Sequence, residues 1–175
     1  PQILLTNSHD GKNSFKFQAG LFRMICENGL VIATDSFQDV KMRHMGYTFE
    51  ELQTNIREMV ERLPLTVESM NKMKQIEMDQ QSAVDFAKRA LETRFTEKQI
   101  ANINIDFEEL LNPIRKQDEG KDVWSVFNVV QEKLISGDFE YRRGTKIRKA
   151  RKVKNFSQDQ KINKELLQLA LEYAN

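Results

Sequence analysis

The chain has 175 residues and a net charge of +1, and 39% of its residues are hydrophobic and 30% charged. This length suits one domain with its own core, and this composition excludes a disordered chain or a fibrous repeat. The single cysteine, Cys26, excludes an intrachain disulfide and a zinc site built from several cysteines. No apolar run approaches the roughly 18 residues that a membrane span needs, so no membrane partner is predicted and a cytoplasmic location is the default.

The first part of the chain is predicted to be a small antiparallel sheet. Residues 3–6 and 14–19 read as strands, and the second alternates apolar and polar side chains with the period of a strand. The turn-forming stretch between them contains Asp-Gly, which is typical of a hairpin. Residues 21–27 form either a short helix ending on Asn-Gly, which we favour, or a third strand. A further strand is predicted within residues 37–45.

From residue 48 onward the apolar residues recur with the period of helices. Pro64 is predicted to stop or kink the first helix. Asp106 is predicted to cap a short helix, and residues 123–135 form an amphipathic helix that Gly137 ends. Capping boxes, in which the first and fourth residues satisfy each other's backbone groups, predict three further helix starts. They are Thr48–Glu51, Thr96–Gln99 and Ser157–Gln160.

These elements together predict an α+β fold, with a small N-terminal antiparallel β-rich part followed by a mainly helical body. We expect a single domain over residues 1–175. Its predicted parts are a β-rich region (1–47), a helical region (48–136), a basic segment (137–156) and a terminal helix (157–175). Because the first residue is Pro1 rather than Met and a strand is predicted from residue 3, the chain is expected to be the C-terminal part of a longer protein.

Two stretches near the N-terminus contain residues that catalysis or metal binding could use. His9 and Asp10 form a pair, but a metal site needs several converging ligands and the only other histidine is His44. Cys26 would need a histidine base nearby to act as a nucleophile, and it lies in an apolar run. We interpret the pair as turn residues and the cysteine as core, and predict no catalytic residue, no metal and no cofactor.

Adjacent acids and methionines are the other candidates. The acidic pairs, predicted to be solvated or to favour a helix dipole, are 50–51, 108–109 and 118–119. The methionines are predicted to lie in the core of the long helices, with an adaptable partner groove as the alternative. They are Met59, Met70, Met73 and Met78. No phosphate-loop, dinucleotide-binding, hydrolase-elbow or zincin motif is present, which favours a binding role over catalysis.

The strongest functional candidate is an acid-free stretch, residues 142–154, which we call the basic run. Its eight cations are Arg142, Arg143, Lys146, Arg148, Lys149, Arg151, Lys152 and Lys154. Without them, 19 basic residues face 26 acidic ones, a net charge of −7. Such a run attracts polyanions by releasing their counterions, and Tyr141 and Phe156 beside it could stack on unpaired bases. Gly144 suits a hairpin tip, and Ile147, Ala150 and Val153 could rest on the body.

Two motifs carry a family resemblance: NSHDG at residues 7–11 and GLFRMICENGL at residues 20–30. The later stretches FNVVQE and INKEL, with the basic run between them, extend the similarity over most of the chain. The sequence resembles the DUF932 family, a phage/plasmid-like family of unknown function. The resemblance implies a mobile-element context and no particular activity.

We therefore predict a non-enzymatic, mobile-element protein that binds the backbone of DNA or RNA through the basic run. The alternative is a protein-interaction or structural module whose basic run docks on an acidic protein partner or on its own body. Insertion into a membrane surface is disfavoured because the run lacks bulky apolar residues.

Overall fold

A computed structural model describes residues 2–6, 15–20, 40–42 and 48–175. The chain divides into two compact units, residues 1–68 and residues 69–175. His9, Asp10, Cys26 and His44, and the segment predicted as a short helix or a strand, lie outside the described residues. The single domain and its four parts stay a prediction.

The first unit contains a three-stranded antiparallel sheet in the order β1-β2-β3. The strands are β1 (Gln2–Thr6), β2 (Phe15–Gly20) and β3 (Val40–Met42). Gln2 lies opposite Gly20 and Phe15 lies opposite Met42. The two N-terminal strands and their antiparallel pairing are confirmed, and the predicted third strand is described over three of its residues.

The first helix, α1, covers Phe49–Gln75 and contains Pro64. Of the two predicted outcomes at Pro64, a stop is therefore wrong and a kink stays a prediction. Proline removes a single backbone N–H, and the residues before and after it keep their own hydrogen bonds when nothing else opposes the helix. Met73 and Met78 are buried, which confirms the core interpretation for these two methionines.

The second unit is mostly helical. Its remaining helices are α2 (Gln80–Glu92), α3 (Glu97–Ile100), α4 (Phe107–Leu111), α5 (Val123–Ser136) and α6 (Phe156–Tyr173), with a 3-10 turn at Lys116–Asp118. A two-stranded antiparallel sheet, β4 (Glu140–Arg143) and β5 (Lys146–Lys149), lies between α5 and α6. Together with the first sheet these elements make an α+β fold, as predicted.

The helix starts show which capping signals were correct. The Thr96–Gln99 capping box is present, and the Asp106 carboxylate accepts a hydrogen bond from the N–H of Glu108 at 3.0 Å. The start predicted at Ser157 was wrong, because the side chain of Asn155 accepts from the N–H of Gln158 at 3.0 Å and α6 begins one residue after Asn155.

Helix α5 is the centre of the second unit. It packs against α2, α4 and α6, and twelve of its fourteen residues are buried, more than the predicted amphipathic stripe requires. Two buried amides on it are satisfied. The Asn128 amide donates to the Trp124 carbonyl at 2.6 Å, and the Gln131 amide donates to the Asn163 side chain on α6. Because both find partners, polar residues are tolerated on a fully enclosed helix.

Asp118, at the end of the 3-10 turn, is only 4% exposed, so of the two predictions for the acidic pairs a solvated side chain is wrong at this residue. The turn packs against α5, and this helix shields the turn from the solvent that would surround an isolated loop. No helix in the described ranges is long and apolar enough to cross a bilayer. Nor do the described side chains include three histidines, cysteines or acids grouped so as to hold a metal ion.

Candidate nucleic-acid interface

The first part of the basic run folds as a hairpin, which we call the ribbon (residues 140–149). Glu140 pairs with Lys149 and Arg143 pairs with Lys146, which leaves a two-residue turn. The first turn residue, Gly144, has φ 61°, the positive value that the first position of a type II′ turn requires. The prediction of Gly144 at a hairpin tip is confirmed.

The ribbon is exposed on both of its faces. Every residue of β5 is exposed, and Ile147 retains 59% of its surface. A strand that lies flat on a body alternates buried and exposed residues, so this pattern shows that β5 does not lie flat on the second unit. All eight cations of the basic run are exposed as well.

Backbone and carboxylate contacts hold the base of the ribbon. The N–H of Arg142 donates to the carbonyl of Asn104 and the reverse bond is also made, each at 2.8 Å. The Glu109 carboxylate lies in the first turn of α4, one of the two predictions for the acidic pairs, and it accepts from the N–H of Glu140 at 3.2 Å. Since a two-stranded hairpin alone is marginal in water, these contacts are what make the ribbon a defined element.

Aromatic packing supports the same base. Phe139, which directly precedes β4, is 1% exposed, and its ring meets the ring of Phe95 edge to face at 6.3 Å. The half-buried ring of Tyr141 lies 6.4 Å from the same Phe95 ring. The predicted stacking residue Tyr141 is thus partly engaged by the body. The side chain of Phe156, the other predicted stacking residue, lies outside the described residues.

Arg94 joins the end of α5 to the segment that follows the ribbon, a role that no sequence pattern predicts. Its guanidinium donates to the carbonyls of Leu134 and Arg151 and lies 5.2 and 5.5 Å from the ring centroids of Phe95 and Phe139. Burial lowers the pKa of Arg94 from its ordinary value. Arginine at a helix end is common, and only the tertiary fold shows that this one is a positioning residue.

The chain after the ribbon crosses the end of α5. The N–H of Ala150 donates to the carbonyl of Phe139 at 3.0 Å, and the N–H of Val153 donates to the carbonyl of Ile135 at 2.8 Å. Ala150 and Val153 are half-buried. They therefore rest on the body as predicted, whereas Ile147 does not, because the ribbon has already left the body at that point.

Strand alternation and the pairing register give the ribbon two faces. We call the first the tyrosine face: Tyr141, Arg143, Lys146 and Arg148. We call the second the acid-bearing face: Glu140, Arg142, Ile147 and Lys149. A cleft of about 320 Å³ borders the acid-bearing face, and its lining includes Asp106, Glu109 and Glu140.

The carboxylates near the ribbon interact electrostatically with the ammonium of Lys149. Its ammonium lies 2.9 Å from the carboxylate of Asp138. This hydrogen bond lowers the pKa of Asp138 and raises the pKa of Lys149, to which the charges of Glu140 and Glu109 also contribute. Within residues 48–175, Lys149 is the one cation of the basic run with a carboxylate within 4.0 Å.

Replacing Lys149 with glutamine should raise the pKa of Asp138 toward its ordinary value, because the hydrogen bond and charge that lower it are removed. A carboxyl whose folded-state pKa is depressed stabilises the fold above its unfolded pKa, and this contribution is lost as pH falls through the folded pKa. The variant should therefore lose less stability on acidification. NMR titration of the Asp138 carboxyl measures the shift. An unchanged titration would show that the ion pair does not form in solution.

The similarity of the chain to known proteins identifies its family. Residues 1–167 match the family described as Domain of unknown function (DUF932), and the chain belongs to that family, which confirms the resemblance. It is 32% identical over 171 residues to the UPF0380 protein YafZ of Escherichia coli (strain K12), covering 97% of this chain and 61% of that protein. The UPF0380 protein YfjQ of the same organism shows the same identity and coverage. The chain thus spans 61% of the length of these curated relatives. No solved structure matches it.

Proposed function

We propose that this protein binds nucleic acid without catalysing a reaction, through the eight cations of the basic run. One observation carries the proposal: all eight are exposed, and in the described part of the chain only Lys149 has a carboxylate within 4.0 Å. Cations that are not already paired can take up phosphates and release the condensed counterions, which is the main source of affinity in backbone binding. The mobile-element context is part of the proposal and rests on the family resemblance.

The alternative, a protein-interaction module, has one observation in its favour. Ile147 is a large exposed apolar side chain beside the cleft of the acid-bearing face, which suits a protein contact. Docking of the basic run on the protein's own body is disfavoured, because the single ion pair of Lys149 with Asp138 does not neutralise its eight cations. A methionine-rich contact face is disfavoured too, because Met73 and Met78 are buried. Co-purification of an acidic protein that survives nuclease treatment would support the alternative.

The proposed function predicts a steep dependence of DNA affinity on salt that a ribbon variant should reduce. Replacing Arg142, Arg143, Lys146 and Arg148 with glutamine removes four exposed cations. Each lost phosphate contact should flatten the plot of log K against log salt by about 0.9 for duplex DNA or about 0.7 for single strands, hence by up to about 3 to 4 in all. Fluorescence anisotropy over a salt series, with both kinds of DNA, measures the slopes.

The matched control removes four exposed lysines from elsewhere in the second unit: Lys74, Lys98, Lys116 and Lys121. It lowers the net charge by the same amount and should leave the slope nearly unchanged. Equal flattening in the two variants would show that binding follows net charge and not the basic run. Absence of salt-sensitive binding at micromolar protein would rule the proposed function out.

A further inference from the structure

We infer that the ligand is double-stranded DNA and that the ribbon meets it with the tyrosine face, an inference that rests on the proposed function and makes it specific. The two faces differ in charge, the end of the ribbon around the Gly144 turn is exposed, and its side chains offer little for base stacking. Each of these observations limits the ligand in a different way.

The charges on the two faces of the ribbon indicate which face meets the phosphates. On the acid-bearing face, Glu140 stands among the cations, Asp138 holds Lys149 at 2.9 Å, and the Glu109 carboxylate lies at the base. A phosphate approaching this face would be repelled by three carboxylates. The tyrosine face carries three cations, Arg143, Lys146 and Arg148. None of them has a carboxylate within 4.0 Å among the described residues. Phosphates are therefore attracted to this face.

Tyr141 marks where the tyrosine face joins the body. Its ring is held by Phe95, whose ring also contacts the guanidinium of Arg94. Arg148, on the neighbouring strand, is paired with Tyr141. The tyrosine face therefore carries one cation beside its base and two more, Arg143 and Lys146, next to the turn.

The dimensions of the ribbon favour a duplex as the ligand. Its two strands lie about 4.8 Å apart, and four residues per strand span roughly 14 Å from the base to the turn at about 3.4 Å each. The major groove of B-form DNA, about 12 Å wide, admits such a two-stranded ribbon. Because Glu140, Tyr141 and Arg142 are held at the body, the end that can enter the groove is the turn with Arg143 and Lys146. The major groove of A-form RNA is deep and narrow, so duplex RNA offers no equivalent place.

The side chains of the ribbon disfavour single strands. Sequence-independent binding of single strands depends on exposed aromatic rings on which bases stack. The one aromatic ring of residues 140–149 is Tyr141, which is half-buried against Phe95, and the exposed apolar residue, Ile147, is aliphatic. The ribbon thus presents charge and shape and little stacking surface.

Two matched variants test the inference in the intact protein. The first replaces Lys146 and Arg148, on the tyrosine face, with glutamine. The second replaces Lys149 and Arg142, on the acid-bearing face, with glutamine. Each removes one lysine and one arginine from the ribbon, and all four are exposed, so both variants should fold, as circular dichroism can verify. Anisotropy is measured with a labelled duplex DNA, its single strand, and the duplex RNA of the same sequence.

We expect the intact protein to bind duplex DNA more tightly than the single strand or duplex RNA. The tyrosine-face variant should lose duplex affinity by about 10-fold or more and flatten the salt slope by about 1.8, as the loss of two phosphate contacts requires. The acid-bearing-face variant should change the duplex affinity and the salt slope by less than half as much as the tyrosine-face variant does.

The outcomes separate the two ideas. Salt-sensitive binding that is equal for the three nucleic acids, or tighter for the single strand or the RNA, would overturn the duplex DNA inference and leave the proposed function standing. Equal losses in the two variants would overturn the assignment of the face. Failure of the intact protein to bind any of the three would remove the proposed function itself.

Discussion

Replacing Gly137 with alanine is expected to lower the free energy of unfolding by about 3 kcal/mol. Gly137 ends α5 with φ 75°, a left-handed conformation that costs a residue with a Cβ about 1 kcal/mol. An added Cβ would also lie 2.5 Å from the carbonyl carbon of Arg151 and 2.9 Å from that of Ala150. Both are backbone atoms of the segment that crosses the helix end, and they cannot rotate away. Urea unfolding followed by circular dichroism measures the loss.

Gly144 provides the matched control. Its φ is also positive, at 61°, but an added Cβ there would meet no atom within 4 Å. Alanine at this position should therefore cost about 1 kcal/mol, the conformational strain alone. The difference between the two variants isolates the close approach of residues 150–151. Equal losses would show that the crossing segment does not press on the end of α5 in solution.

Replacing Phe139 with alanine should lower the free energy of unfolding by about 3 to 5 kcal/mol, because a large ring is removed from a fully packed site. Its ring contacts Phe95 and the guanidinium of Arg94, and its carbonyl accepts from Ala150. The ribbon starts at the next residue, so the same change should weaken duplex binding even under conditions where the protein stays folded. Urea unfolding and DNA anisotropy together measure the two effects.

Ile147 serves as the control for this second variant. It lies on the ribbon and is of similar apolar character, but it is 59% exposed. Alanine there should change the stability by less than about 0.5 kcal/mol, as is usual for surface substitutions. A small effect at Phe139 as well would show that the base of the ribbon is not anchored by this ring.

The sequence predicted best what depends on local chemistry. Gly137 was identified as the stop of α5 because a left-handed cap favours glycine, and Asp106 as a cap because a carboxylate accepts the free N–H groups of the first turn. The start of α6 was misplaced because both Asn155 and Ser157 can cap, and the path of the chain from residue 150 decides between them. At Pro64 a stop or a kink is predicted, and the helix continues because proline's local cost does not end it.

The candidate site was predictable in composition and not in arrangement. The cations of the basic run and the turn at Gly144 are local features of the sequence. The division into two faces follows from the strand register. Glu109 contacts the base of the ribbon and Arg94 contacts the segment after it, and both are distant along the chain from their partners. Such long-range contacts leave no pattern in a single sequence. The role of the eight cations stays a prediction.

Strand β5 has one further consequence, for the behaviour of the protein at high concentration. It is the outer strand of a two-stranded sheet, and an outer strand is where a second molecule can add a strand of its own. Three of its four residues, Lys146, Arg148 and Lys149, are cationic, so two copies approaching edge to edge would repel each other. The same charges that make the ribbon a candidate ligand site keep it from self-assembly. Variants that neutralise them should be checked by light scattering, because aggregation would mimic a loss of binding.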